Sequence, residues 1–151
     1  MTGAEVAKLL GLEPLPLEGG LWAQLWRDEH GTAIYFLMQP GDFSAMHRLD
    51  SPELWHHYAG APVDMLLLEA DGAVRRPVLG DGLGEGQRPF VAVPAGVWMG
   101  AATLGEWSLV GTTMAPPFHQ EGFELGRLED LVDQYPAAAA DIVRFVRQEP
   151  P

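Results

Sequence analysis

The chain has 151 residues, 47% of them hydrophobic and 20% charged, which suits one globular domain with a hydrophobic core. Its formal net charge of −12, with nine scattered Lys and Arg residues, argues against nucleic acid as a partner, because phosphates require clustered cations. The absence of cysteine excludes disulfides, thiolate zinc sites and a thiol nucleophile, and no apolar stretch approaches the roughly 20 residues that span a membrane.

The predicted elements begin with a short helix and continue as β-strands. Residues 4–11 have the periodicity of an amphipathic helix that ends at Gly11. From Leu21 to about Ser108, short apolar or alternating runs are separated by Gly, Pro and Asp, which predicts an all-β barrel or sandwich. The candidate strands are Leu21–Arg27, Thr32–Gln39, Ser44–Leu49, Glu53–Ala59, Val63–Glu69, Ala73–Val78, Phe90–Val93, Trp98–Ala102 and Trp107–Met114.

Turn signals and the last third of the chain complete this outline. Asp71-Gly72 predicts a tight hairpin, and the four glycines of residues 79–87 predict a longer loop. Apolar residues at helical spacing in residues 127–132 and 137–146 predict helices that pack against the outside of the barrel.

The domain and compartment predictions follow from this outline. We expect one domain over residues 1–151, with the barrel at about 14–126 and C-terminal helices at about 127–147. The first residues lack the basic start and apolar run of a signal peptide, so we expect a cytoplasmic protein.

One segment has the spacing of a known family motif. Gly41, His47, Glu53 and Gly60 stand at the intervals of the first cupin motif, and Leu49 occupies the place of its second histidine. In metal-binding cupins, the two histidines and the glutamate of this motif, with a histidine of the second motif, hold a divalent ion. The chain therefore resembles a cupin that has lost part of this ligand set.

The second cupin motif and several other segments extend this resemblance. Residues 94–99, Pro-Ala-Gly-Val-Trp-Met, resemble the second motif with Met99 in place of its histidine. Together with Thr32–Leu37, Glu53–His56, Ser108–Gly111 and Phe123–Gly126, they make the chain similar to the cupin-5 branch of small cupins described as predicted sugar epimerases. That branch usually has Pro-His-Pro-Glu-Gly-Gly near its N-terminus, whereas this chain has Leu15-Pro16-Leu17-Glu18-Gly19-Gly20.

The resemblance implies a fold and an assembly. The expected fold is the cupin double-stranded β-helix, an all-β jelly-roll barrel, with short N-terminal and C-terminal helices. It also implies a homodimer formed by exchanging or pairing edge strands, which covers open sheet edges.

His47 and Glu53 are the predicted catalytic residues. Strand alternation directs position 47 into the barrel, and Glu53 begins the next strand beside it. Imidazole titrates near neutral pH, so His47 is a candidate general base for removing a proton next to a carbonyl. A buried carboxylate needs a partner, so Glu53 is expected to hydrogen-bond and orient His47.

The predicted ligand-binding residues are mainly aromatic. Aromatic side chains on strands are first of all core residues, but aromatic walls also suit a flat ligand by stacking. Counting by two from Glu53 places Trp55 and His57 on its side of the strand. The set comprises His57, Trp55, Tyr35, Phe43, Trp98 and Met99.

Three hypotheses about function remain open, all with a small-molecule ligand and none with nucleic acid or a membrane. The first is an isomerase or epimerase of a sugar-like or cyclic substrate. The second is a metal-dependent enzyme in which His47, Glu53 and His57 hold Fe, Mn, Ni or Zn, although the motif securely offers only two of the three or four ligands a metal needs. The third is a non-catalytic carrier, favoured by Leu17, Leu49 and Met99, which make the cavity more apolar.

Overall fold

The computed structural model describes residues 1–147, which form two antiparallel sheets flanked by short helices. The helices are α1 (Gly3–Leu10), α2 (Leu128–Gln134) and α3 (Ala139–Arg144), with 3-10 turns at Leu83–Glu85, Gln120–Gly122 and Pro136–Ala138. The strands are β1 (Glu13–Pro14), β2 (Leu21–Arg27), β3 (Thr32–Met38), β4 (Ser44–Leu49), β5 (Glu53–Gly60), β6 (Val63–Leu68), β7 (Val74–Arg75), β8 (Val78–Leu79), β9 (Phe90–Val93), β10 (Trp98–Thr103), β11 (Ser108–Met114) and β12 (Phe123–Leu125). This confirms the prediction of an all-β protein with short helices at both ends.

The two sheets face each other across an apolar core. The first sheet has the strand order β1-β2-β3-β11-β5-β9, and the second has β12-β4-β10-β6-β7 with β8 also paired to β6. Phe36, Trp55, Met65 and Val110 are each at most 1% exposed in the core between the sheets. In the first sheet, β11 lies between β3 and β5, so strands far apart in sequence share one wall.

The Asp71-Gly72 turn is present, but the strand after it is shorter than predicted. Gly72 has a φ of 94°, and its amide donates to the carbonyl of Glu69. The strand predicted over Ala73–Val78 is divided into β7 and β8. Pro77 lies in the gap and has no N–H to donate, although its carbonyl still accepts from the amide of Met65.

Helices α2 and α3 cover one side of the second sheet. Leu131, Ile142 and Phe145, each at most 1% exposed, pack with Met46 and Trp98 in a second core. The prediction that the C-terminal helices pack against the outside of the barrel is therefore confirmed. None of the helices within residues 1–147 is long and apolar enough to cross a membrane.

Removal of the Ile142 side chain should test how much this helical cover stabilises the fold. Ile142 is fully buried, so Ile142→Ala is expected to lower the free energy of unfolding by about 2–5 kcal/mol, because it leaves a cavity. Val143 is the next residue and is 50% exposed, so Val143→Ala should change stability by less than about 0.5 kcal/mol. Urea denaturation of both variants measures the difference, and equal effects would contradict a stabilising role for the second core.

Candidate functional site

A cavity of about 350 Å³ lies at one end of the barrel. Strands β2, β3, β5 and β11 of the first sheet and β4 and β12 of the second contribute to its lining. Its walls are largely apolar and include Trp22, Ile34, Phe118 and Phe123. An apolar cavity of this size with a few convergent polar groups is typical of a small-molecule site.

His47 faces this cavity from β4. It is 1% exposed, and its Nδ1 lies 2.7 Å from the carbonyl oxygen of Ala45, to which it donates. In the neutral ring this hydrogen bond places the proton on Nδ1 and leaves Nε2 as an acceptor. The ring also stacks on Phe123, with centroids 5.3 Å apart. The orientation of the His47 ring is therefore fixed, with Nε2 directed to the cavity.

Glu53 faces the same cavity from the start of β5. It is 8% exposed, and Trp55 Nε1 donates to its Oε1 over 3.0 Å. Burial raises the pKa of Glu53 to about 7, because the charged form loses its hydration. The charge of His47 and hydrogen bonds from Thr112 and Trp55 oppose this rise in pKa, and Glu18 adds to it. The carboxyl group is thus near its midpoint of titration at neutral pH.

The predicted hydrogen bond between His47 and Glu53 is wrong. The carbonyl of Ala45 orients the imidazole, and the carboxylate facing Nε2 belongs to Glu18, whose Oε1 lies 3.6 Å away. Glu53 is instead held by Trp55. The two predicted catalytic residues share the cavity but are oriented independently.

Glu18 is a cavity residue that the sequence analysis did not include among the candidates. It lies in residues 15–20, here called the rim loop, four of which line the cavity. Its Oε2 accepts from the hydroxyl of Ser44 over 2.8 Å. The pair Gly19-Gly20 was the sequence signal for a sharp turn directly after Glu18. Both glycines have positive φ, 96° and 76°, which lets the loop fold back onto the barrel.

The rim loop is tied to the barrel through its backbone. The carbonyl of Glu18 accepts from the amide of Ala45 over 2.8 Å and from Arg147 Nη1 over 2.7 Å. Leu17 has a φ of 69°, a left-handed conformation that is strained for a residue with a side chain, and it is 62% exposed at the cavity. These contacts place the Glu18 carboxylate beside His47.

Two of the predicted ligand-binding residues lie on the barrel interior without lining the cavity. Trp55 is 1% exposed in the core and supports Glu53 through its indole N–H. Met99 is also 1% exposed and pairs with His47 in the β4–β10 ladder. Neither contributes to the lining, because both pack deeper between the sheets.

His57 is also away from the cavity. It shares the side of β5 that Glu53 occupies, but it lies four residues further along, roughly 13 Å at the rise of a strand. Its Nε2 lies 3.1 Å from the carbonyl oxygen of Ala61, to which it donates. Strand alternation predicts the face of a residue, not its depth along the barrel.

The remaining three predicted ligand-binding residues lie on the outside of the sheets. Trp98 belongs to the second core under the helices, and Phe43 packs edge-on against Phe145 there. Tyr35 makes an edge contact with Tyr58 on the outer face of the first sheet. None of the three lines the cavity.

The donor set does not fit the divalent metal that binds in metal-dependent cupins. Of the four motif positions, Leu49 has no donor atom, and Met99 offers only a thioether, a soft ligand. His57, the third ligand of the metal hypothesis, lies at a different level of the barrel from His47 and Glu53. Residues 1–147 contain no group of three His, Asp or Glu placed to hold a metal ion.

Comparisons with known proteins agree with the fold. A model of the family described as Cupin superfamily (DUF985), named Cupin_5, matches residues 4–126. The chain is similar to the solved structure of protein SO0799 from Shewanella oneidensis, with a TM-score of 0.93 and 32% identity over 99% of both chains. A hypothetical protein from Leishmania major gives a TM-score of 0.89 and 27% identity, over 98% of this chain and 100% of that one.

A more distant structure shares the fold alone. A dTDP sugar isomerase from Desulfovibrio desulfuricans G20 gives a TM-score of 0.56 and 18% identity, over 77% of this chain and 80% of that one. Among proteins with curated descriptions, none matches the chain. The expectation of a cupin barrel is confirmed by these matches.

The raised pKa of Glu53 should appear in the pH dependence of stability. The Glu53 carboxyl has a pKa of about 7 in the folded protein and about 4.5 in the unfolded chain. Between about pH 4.5 and about pH 7 the folded protein therefore keeps a proton that the unfolded chain has lost. Stability should therefore fall as the pH rises from about 4.5 to about 7, by roughly 3 kcal/mol at most. Glu53→Gln cannot titrate and should lack this fall.

Urea denaturation at about pH 5 and about pH 8 measures this effect. Glu13 is exposed, so Glu13→Gln should keep the pH dependence of the unsubstituted protein and serves as the control. Parallel pH curves for the unsubstituted protein and Glu53→Gln would contradict the raised pKa.

Proposed function

The chain belongs to the DUF985 family of the cupin superfamily, and we propose that its barrel binds a sugar-like or cyclic small molecule and moves a proton on it, as isomerases and epimerases do. The observation that carries this proposal is a buried histidine and a buried carboxyl group with a pKa of about 7 that line one cavity. Titratable groups with shifted pKa values in an apolar cavity are candidates for acid–base catalysis.

The proposed roles follow from the protonation of the two groups. Nε2 of His47 has no proton in the neutral ring and accepts one from a carbon next to a carbonyl. Glu53, partly protonated near neutral pH, donates its proton to the carbonyl oxygen, which yields an enol. Return of the two protons gives the substrate or its isomer, so the step needs no other reactant.

The surroundings favour this chemistry. The largely apolar walls lower the local dielectric, which strengthens each electrostatic contact in the cavity. A dTDP sugar isomerase shares the barrel fold, and this supports isomerisation only by analogy, because one fold hosts many reactions.

We also propose that two copies of the chain form a homodimer through the outer face of the first sheet. Tyr35, His56, Tyr58 and Phe90, here called the aromatic patch, contact one another there, and Tyr58 and Phe90 are 53% and 48% exposed. The patch contains no Asp, Glu, Lys or Arg, so two identical patches meet without repulsion despite the net charge of −12. Exposed aromatic clusters of this kind are typical of interfaces.

Deuterium exchange tests the proton transfer without knowledge of the product. The protein is incubated in D₂O with a panel of free and phosphorylated aldoses and ketoses, and mass spectrometry measures uptake of deuterium at carbon. We expect exchange in at least one compound, and a rate at least about 100-fold lower in His47→Gln and Glu53→Gln, because each loses an acid–base group.

His30 supplies the control for this experiment. It lies in the turn between β2 and β3 with its side chain 77% exposed, so His30→Gln should exchange at the unsubstituted rate. No exchange in any compound, or equal exchange in His47→Gln, would sink the proposed function.

Light scattering tests the dimer. The unsubstituted protein should have twice the chain mass. Tyr58→Glu should have the mass of one chain, because it places one carboxylate from each copy in the contact, where they repel. Leu83→Glu, at a position 60% exposed in the 79–87 loop, should remain dimeric. A monomeric unsubstituted protein would refute the homodimer.

A further inference from the structure

Apart from the imidazole of His47, the ionisable side chains that line the cavity are acidic. Glu18 and Glu53 contribute carboxyl groups, and none of the nine Lys and Arg residues, all within residues 1–147, lines it. An anionic ligand in an apolar cavity needs a cation or several donors to replace its hydration. The lining supplies no Lys or Arg for this purpose, and its one imidazole, that of His47, already faces the Glu18 carboxylate, with Nε2 3.6 Å from Oε1.

The cations nearest to the cavity are engaged elsewhere. Arg48 follows His47 on β4 but points outward, where Nε donates to Glu124 over 2.7 Å and the guanidinium lies 4.5 Å from the Trp98 ring centre. Arg147 lies behind the rim loop and donates to Asp42 and to the carbonyls of Glu18 and Phe43. Both guanidinium groups are therefore committed to partners outside the lining.

Two groups of the cavity are placed to accept hydrogen bonds from a ligand. In the neutral ring of His47 the proton lies on Nδ1, which leaves Nε2 as an acceptor. The carboxylate of Glu18 accepts from the hydroxyl of Ser44 through Oε2 and presents Oε1 on the side of His47. A ligand with hydroxyl or ammonium donors can pair with these acceptors.

We propose that the cavity selects ligands that carry no negative charge and that donate hydrogen bonds through hydroxyl or ammonium groups. This inference rests on the proposed function, because it takes the same cavity as the ligand site. A phosphate or carboxylate group would lie against Glu18 and Glu53 with no Lys or Arg in the lining to offset the repulsion, in surroundings where repulsion is weakly screened. Free sugars, amino sugars and cyclic alcohols or amines fit, whereas nucleotide-linked and phosphorylated sugars do not.

Three probes with the same ring test the charge preference: benzylamine, benzyl alcohol and benzoate. Dissociation constants are measured near neutral pH by NMR titration of the unsubstituted protein. We expect benzylamine to bind most tightly and benzoate at least about tenfold more weakly than benzyl alcohol, a difference of about 1.4 kcal/mol.

Three variants test whether the charge preference of the probes arises in the cavity. Glu18→Gln keeps an oxygen acceptor for Ser44 but removes the charge, so it should reduce the ratio of benzylamine to benzyl alcohol affinity by about fivefold or more. Glu124→Gln removes an exposed carboxylate outside the cavity and should leave the ratio unchanged. Gln24→Arg places a cation in the lining and should tighten benzoate binding.

The outcomes separate this inference from the proposed function. Benzoate binding as tight as that of benzyl alcohol, or no binding of any probe, would overturn the charge preference. Deuterium exchange confined to phosphorylated sugars would also overturn it and leave the acid–base proposal standing. The expected probe order together with no exchange in any sugar would support the charge preference and reject the acid–base function.

Discussion

A carboxyl group that leaves water loses hydration worth several kcal/mol, and the Glu53 carboxyl does so at the first position of β5. The site is arranged around this constraint. The indole of Trp55 and the hydroxyl of Thr112 supply hydrogen bonds, and the proton retained at neutral pH removes much of the remaining cost. The same protonation gives Glu53 its proposed role as an acid. Burial of the carboxyl group is therefore the cause of both its raised pKa and its proposed chemistry.

The two sheets differ in what covers their outer faces. The second sheet is covered by α2 and α3, whose apolar residues form a core of their own with Trp98. On the first sheet, the aromatic patch leaves Tyr58 and Phe90 about half exposed. The proposed dimer contact and the proposed ligand site therefore lie on different parts of the barrel, its uncovered face and its end, and would not compete for the same surface.

Local patterns in the sequence predicted the strands, and motif spacing predicted that His47 and Glu53 share the interior. β2, β4 and β9 have the predicted bounds because alternation and turn residues act over short distances. Glu18 was missed because it reaches His47 from a loop 29 positions earlier, a contact that no local pattern encodes. His57 was assigned to the cavity because alternation gives a residue's face and not its depth along the strand. Trp98 and Tyr35 were assigned to it as aromatic residues on strands, whereas the layer in which each packs depends on the whole fold.

The tie between Arg147 and the rim loop joins positions 129 residues apart. During synthesis on the ribosome, residues 15–20 emerge long before the segment that anchors them. The barrel strands, with the contacts of Ser44 and Ala45 to Glu18, can therefore form while the contact from Arg147 is still missing. In a nascent chain the anchoring of the cavity mouth would thus be completed last, after translation of the C-terminal helices.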